Sequence, residues 1–168
     1  MSESRQTKAR YLLLSLLVLV ADQWSKWAVE QYLPFHQPMK IIPGLLNFTH
    51  VQNSGVAFGM FAANGDSRGT LILTLLGLVA LVVVGVYFWR TANEDRLMLT
   101  SLALILGGAV GNLLDRIASG SVTDFIDAYL GTYHWHTFNV ADSAITIGIF
   151  LMAVEILLAG RKPVASTS

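Results

Sequence analysis

The chain has 168 residues, of which 54% are hydrophobic and only 13% charged, with a mean hydropathy of +0.55. A soluble domain carries roughly a quarter charged residues, so this composition describes a chain that lives in a bilayer. The formal net charge is zero, which supplies no basic field for nucleic acid, and the absence of cysteine excludes disulfides, thiolate metal sites and a cysteine nucleophile together.

RQTKAR followed by YLLLSLLVLVA has the outline of a secretory signal, but no small-x-small cleavage site comes after it. The segment therefore reads as an uncleaved first transmembrane helix over about 11–32. Residues 11–21 alone are too short to cross, so this helix must continue through Asp22 and Lys26. Those two lie four residues apart, on one face, where they can pair. The connection 33–69 is long; its middle, MKIIPGLLNFTHVQNSGVAF, mixes β-formers with Pro43, Gly44 and Gly55. That mixture predicts short strands at the membrane surface. VAFGMFAA fits one or two turns of interfacial helix presenting Phe58 and Phe61 to lipid.

A second span over 70–89 carries no charge, and a third covers about 97–116. Within the third, Ala103, Gly107 and Gly111 form a small-residue stripe that lets another backbone approach closely. Asn112, Asp115 and Arg116 share one surface at its end: the neighbouring Asp115 and Arg116 read as a charge-neutralised anchor, Asn112 as a donor into a site. In the connection 117–137, residues 117–123 turn the chain back along the surface toward the last helix and deliver Asp124, flanked by Val122, Phe125 and Ile126, while Asp127 reads as solvated loop. A last span over about 138–160 carries Asp142 near its start and Glu155 near its end. Arg5, Lys8 and Arg10, then Arg90 and Arg96, then Arg161 and Lys162 mark one side of the membrane, against only Lys40 and Arg68 on the other. The positive-inside rule then places both termini in the cytoplasm. The expected architecture is a single α-helical membrane domain with four transmembrane helices, N-in/C-in, and a small extracytoplasmic β-containing segment between helices one and two.

The acidic residues are unevenly spread. Asp22, Asp115, Asp124 and Asp142 converge at the outer ends of three helices, which loop solvation does not explain. Asp142 falls in the first turn of its helix, where the dipole complements a negative charge. Asp124, among apolar neighbours, is partly desolvated, which favours its protonated form. Two carboxyls with opposed biases suit aspartic catalysis; interfacial aspartates that only cap helices are the competing reading. Other chemistries find less support. His134-x-His136 lacks the HExxH pattern of a zinc site, Ser25 and Lys26 point apart on their helix, and no Gly-rich phosphate loop occurs. Neither metal nor cofactor is expected.

Five motifs in order, ADQWSK, NSGVAF, GNLLDR, VTDF and FNVADS, resemble those of the bacterial lipoprotein signal peptidases (signal peptidase II), over 22–143. The resemblance implies a cofactor-free aspartic endopeptidase of the cytoplasmic (inner) membrane, active at its extracytoplasmic face. Its partners would be membrane lipids and diacylglyceryl-modified prolipoproteins, cut just before the lipidated cysteine. By motif, Asp124 and Asp142 would be the catalytic pair. Asp22, Lys26, Asn53, Gly55, Asn112, Arg116 and Asn139 would bind substrate or shape the site. Val56 stands where the family usually has a small residue, often alanine, a conservative departure. The rival reading is a small proton-coupled transporter, whose carboxylates would be distributed through the depth of the bilayer.

Overall fold

The computed structural model describes residues 3–54 and 68–159. Its helices are α1 (Glu3–Tyr32), α2 (Arg68–Arg90), α3 (Arg96–Ser119) and α4 (Val140–Ala159). Each contains a stretch long and apolar enough to cross a membrane. The helix-compatible ESRQTKAR carries α1 back to Glu3, ahead of its spanning stretch. Gly120 stops α3: it adopts φ 76°, and its N–H closes on the Arg116 carbonyl at 3.0 Å.

Helix α3 is the centre of the bundle, with 61% of its spanning window buried against 17% for α1, 6% for α2 and 17% for α4. The small-residue stripe accounts for this. A Cβ at Gly107 would stand 2.6 Å from the Ser15 carbonyl oxygen, so α1 reaches its position only because that Cβ is missing. One turn earlier, the Ser15 hydroxyl donates to the Ala103 carbonyl at 2.8 Å. One turn later, a Cβ at Gly111 would meet Asp22 Oδ2 at 2.5 Å. The stripe thus brings the acidic end of α1 against α3, while Gly108 on the adjoining face backs onto the Ala141 carbonyl of α4. At the opposite end, Lys8 donates to the carbonyls of Phe88 and Trp89 and so ties α1 to the C-terminus of α2. Helix α2 packs on α3, and between α2, α3 and α4 runs an apolar groove of about 480 Å³. Leu73, Ala80, Ile105 and Ile149 line it, and Asn112 and Arg116 are its polar members.

Above the bundle lies an antiparallel sheet in the order β1 (Met39–Ile42), β2 (Leu46–Asn53), β3 (Val122–Leu130) and β4 (Tyr133–His134). Its tight turns use Gly44 (φ 84°) and Gly131 (φ 61°). Strands were expected in the first long connection, but half of the sheet comes from the second, which the sequence suggested was a plain return loop. VTDFIDAYL shows no clean apolar/polar alternation because β3 is buried almost continuously from Val122 to Asp127, between β2 and β4 and against the ends of α1 and α3. Gly55, Phe58 and Phe61 lie outside the described residues.

Candidate active site

The start of α4 organises the site. Asn139 is its N-cap: the side-chain oxygen accepts from the Asp142 N–H at 2.9 Å, and the Asp142 carboxylate accepts from the Asn139 N–H at 3.2 Å. This reciprocal arrangement is a capping box, with aspartate in the place usually held by glutamate or glutamine. A further orphan amide of the first turn, that of Ala141, donates to Asp22 Oδ1 of α1 at 2.8 Å. The capping carboxylates therefore sit at the positive end of the helix dipole.

Asn139 also faces β3. Its amide donates to Asp124 Oδ1 at 2.7 Å, while Asn53 donates to Asp124 Oδ2 at 2.8 Å. Register explains the second bond: Val51 lies opposite Asp124, and Asn53, two residues on, shares its face. Asn112 completes the frame, donating to Asp142 Oδ1 at 2.7 Å and accepting from Asn139 at 3.2 Å. Both carboxylates are therefore held by one buried asparagine, Asn139, with Asn53 and Asn112 each adding one bond.

Lys26 anchors the frame from α1. It pairs with Asp22 and Asp115, both at 2.7 Å, and donates to Asn112 Oδ1 at 3.0 Å. Asp22 is fully buried and Lys26 only 3% exposed, so neither charge is satisfied by water. The i, i+4 pair expected from spacing is present, but the Asp115–Arg116 pairing is corrected. Asp115 turns to Lys26 and Gln23 (2.8 Å), and Arg116 donates to the Asn112 carbonyl at 3.2 Å. Neighbours in sequence point about 100° apart on a helix, which lets the two residues serve different partners.

Asp124 is 2% exposed, and its pKa is pushed up to about 6. Burial is the main cause, and the Asp142 charge adds to it; the donations from Asn53 and Asn139 and the charge of Lys26 act in the opposite direction. Burial thus favours the protonated form of Asp124 more than it is favoured in an ordinary aspartate. Asp127 is a second correction, since it is buried rather than solvated. Burial alone would raise its pKa, but donations from His134 (2.8 Å) and Asn47 (2.9 Å) keep it below the ordinary value. Asn47 lies directly opposite it across the β2–β3 ladder.

A polar cavity of about 270 Å³ opens onto Asp124, lined also by Gln52, Asn53, Ser54, His136 and Thr137. Sequence reasoning missed the residues that brace this side. Gln23 bridges Asp115, Asp22 and the Gly111 carbonyl, and buried Thr123 donates to Glu30 of α1 at 2.6 Å while accepting from Gln52 at 2.9 Å. Their only sequence signal is adjacency, Gln23 to Asp22 and Thr123 to Asp124. Among the described residues no cluster of His, Asp and Glu is arranged to hold a metal ion. Two carboxyls on a common amide scaffold, one facing a polar cavity, are equipped for general acid–base chemistry.

Known proteins resemble this chain along most of its length. The family model described as signal peptidase (SPase) II matches residues 14–158. A lipoprotein signal peptidase of Desulforapulum autotrophicum is 44% identical over 149 residues, 88% of this chain and 91% of its own. Another from Solibacter usitatus is 40% identical over 149 residues, 89% of this chain and 91% of its own. A bacterial membrane enzyme solved by the in meso method at 2.3 Å resolution superposes with a TM-score of 0.76 at 30% identity, covering 95% of this chain and 94% of that one. The chain belongs to the signal peptidase II family.

Proposed function

We propose that Asp124 and Asp142 are the catalytic pair of this enzyme, a membrane aspartic endopeptidase that removes signal peptides from lipid-modified prolipoproteins in the inner membrane. The observation that carries the assignment is Asn139, which caps α4 on Asp142 and holds Asp124 through one side chain. Asp142 takes a proton from water as that water attacks the scissile carbonyl, and Asp124, whose pKa burial raises, donates to the carbonyl oxygen. Collapse of the tetrahedral intermediate then returns a proton to the departing amine. Asn53 and Asn112 hold the carboxylates in register, and Asp22 and Lys26 hold α1 against α4 and α3.

The signal segment lies in the apolar groove between α2, α3 and α4, whose side open to the bilayer admits a helix already in the membrane. Arg116, at the polar end of that groove, is placed to meet the polar part of the lipid modification. Both termini face the cytoplasm, as the Lys and Arg distribution requires, and the sheet and site lie at the extracytoplasmic surface. No observation favours the transporter reading: below the site, the only other acidic residue described within the spanning stretches is Glu155, near the end of α4.

The test is cleavage of a purified diacylglyceryl-modified prolipoprotein. Asp124→Asn and Asp142→Asn should each lower the rate by about 10³-fold or more while retaining a folded, membrane-inserted protein. Wild-type-like cleavage by either variant would remove that residue from the pair.

A further inference from the structure

The substrate polypeptide continues past the scissile bond, and the protein offers a second cavity whose chemistry differs from that of the groove. The apolar groove reaches Asn112, which holds Asp142, whereas the polar cavity reaches Asn53, which holds Asp124. Each cavity thus borders an asparagine that holds one of the two carboxylates. In the polar cavity, Gln52 is committed to Thr123 and Ser121, and Asn53 to Asp124. His136 and Thr137 make no side-chain hydrogen bond to any described residue.

These two side chains stand on a fixed backbone. Trp135 N–H donates to the Ala128 carbonyl at 2.8 Å and Phe138 N–H to the Ile126 carbonyl at 3.1 Å, so the stretch between them is clamped along β3. Free donors on a rigid segment are the features of a preorganised recognition site.

Resting on the catalytic assignment above, we propose that this cavity receives the first residues of the mature chain and that His136 gives it a preference for an acidic side chain. Asp124 and His136 are the only ionisable groups among the described lining residues. The oxygens of Asp124 are occupied by Asn53 and Asn139, so a substrate carboxylate finds its donor in His136. A substrate lysine at the same place is drawn instead to Asp124, where its charge opposes the protonated state the reaction uses.

The experiment compares diacylglyceryl-modified substrates that carry Asp, Ala or Lys at the second and third residues after the lipidated one. Wild-type enzyme should show a KM about fivefold lower for Asp than for Ala, the size of one hydrogen bond to a partly exposed carboxylate. His136→Ala should remove that advantage, leave KM for the Ala substrate within about twofold, and leave kcat nearly unchanged; His136→Gln, which keeps a donor, should recover part of it. Equal KM values for the three substrates in the wild type, or a His136→Ala variant that lowers kcat alike on all of them, overturns the proposal. Failure of the catalytic assignment registers separately, as cleavage retained by Asp124→Asn or Asp142→Asn.

Discussion

Replacing Asn139 with serine separates the two tasks of that residue. A serine N-cap serves the first turn of a helix about as well as asparagine, so the bond from the Asp142 N–H survives. Its side chain is too short to replace the donation to Asp124, 2.7 Å in the native protein. A hydrogen bond to a charged group contributes about 1.5–3 kcal/mol, and a pKa unit corresponds to about 1.36 kcal/mol. Because the lost bond favours ionised Asp124, its removal raises a pKa already near 6, by roughly one unit once partial solvent compensation is allowed for. On the proposed assignment the pair shares one proton, so kcat/KM should fall as pH rises through the upper apparent pKa of the dyad, and in Asn139→Ser that limb should move to higher pH by about one unit. The assay is a pH profile of initial rates on a diacylglyceryl-modified substrate, with thermal unfolding of the same preparation alongside. An alkaline limb that stays in place while stability drops would show that Asn139 acts only as a helix cap.

Lys26→Met should destabilise the protein by about 3–5 kcal/mol, read by thermal or denaturant unfolding in detergent, because it leaves Asp22 and Asp115 without their shared cation. A variant within about 1 kcal/mol of wild type would mean that water reaches those carboxylates. Gly107→Val should cost about 1–3 kcal/mol by pushing α1 off α3, with loss of activity in step, since the displacement is passed on to Asp22 one turn further along.

What the sequence made legible was local. The four-residue spacing of Asp22 and Lys26 implied their pair, and the stripe through Gly107 and Gly111 implied a close helix contact; both follow from helical geometry alone. Asp115 was misassigned because its partner, Lys26, lies on another helix, and only the close approach at the stripe brings the two together. Asp127 was misread for a similar reason. Its partner Asn47 is 80 residues away, and β3, covered on both faces, offers no alternation to mark it as a strand. The residues of the five motifs lie on five separate segments, α1, β2, α3, β3 and the start of α4, and the hydrogen bonds that join them form an arrangement that no spacing records.

The bond from Ala141 N–H to Asp22 Oδ1 joins residues 119 positions apart, almost the first span to the start of the last. A ribosome making this chain releases Asp22 long before α4 exists, and Asp142 is added only with α4 itself. A nascent protein with three helices in place therefore holds the Asp22 carboxylate without the Ala141 amide that donates to it. The step that supplies Asp142 is thus also the step that ties the first helix to the last.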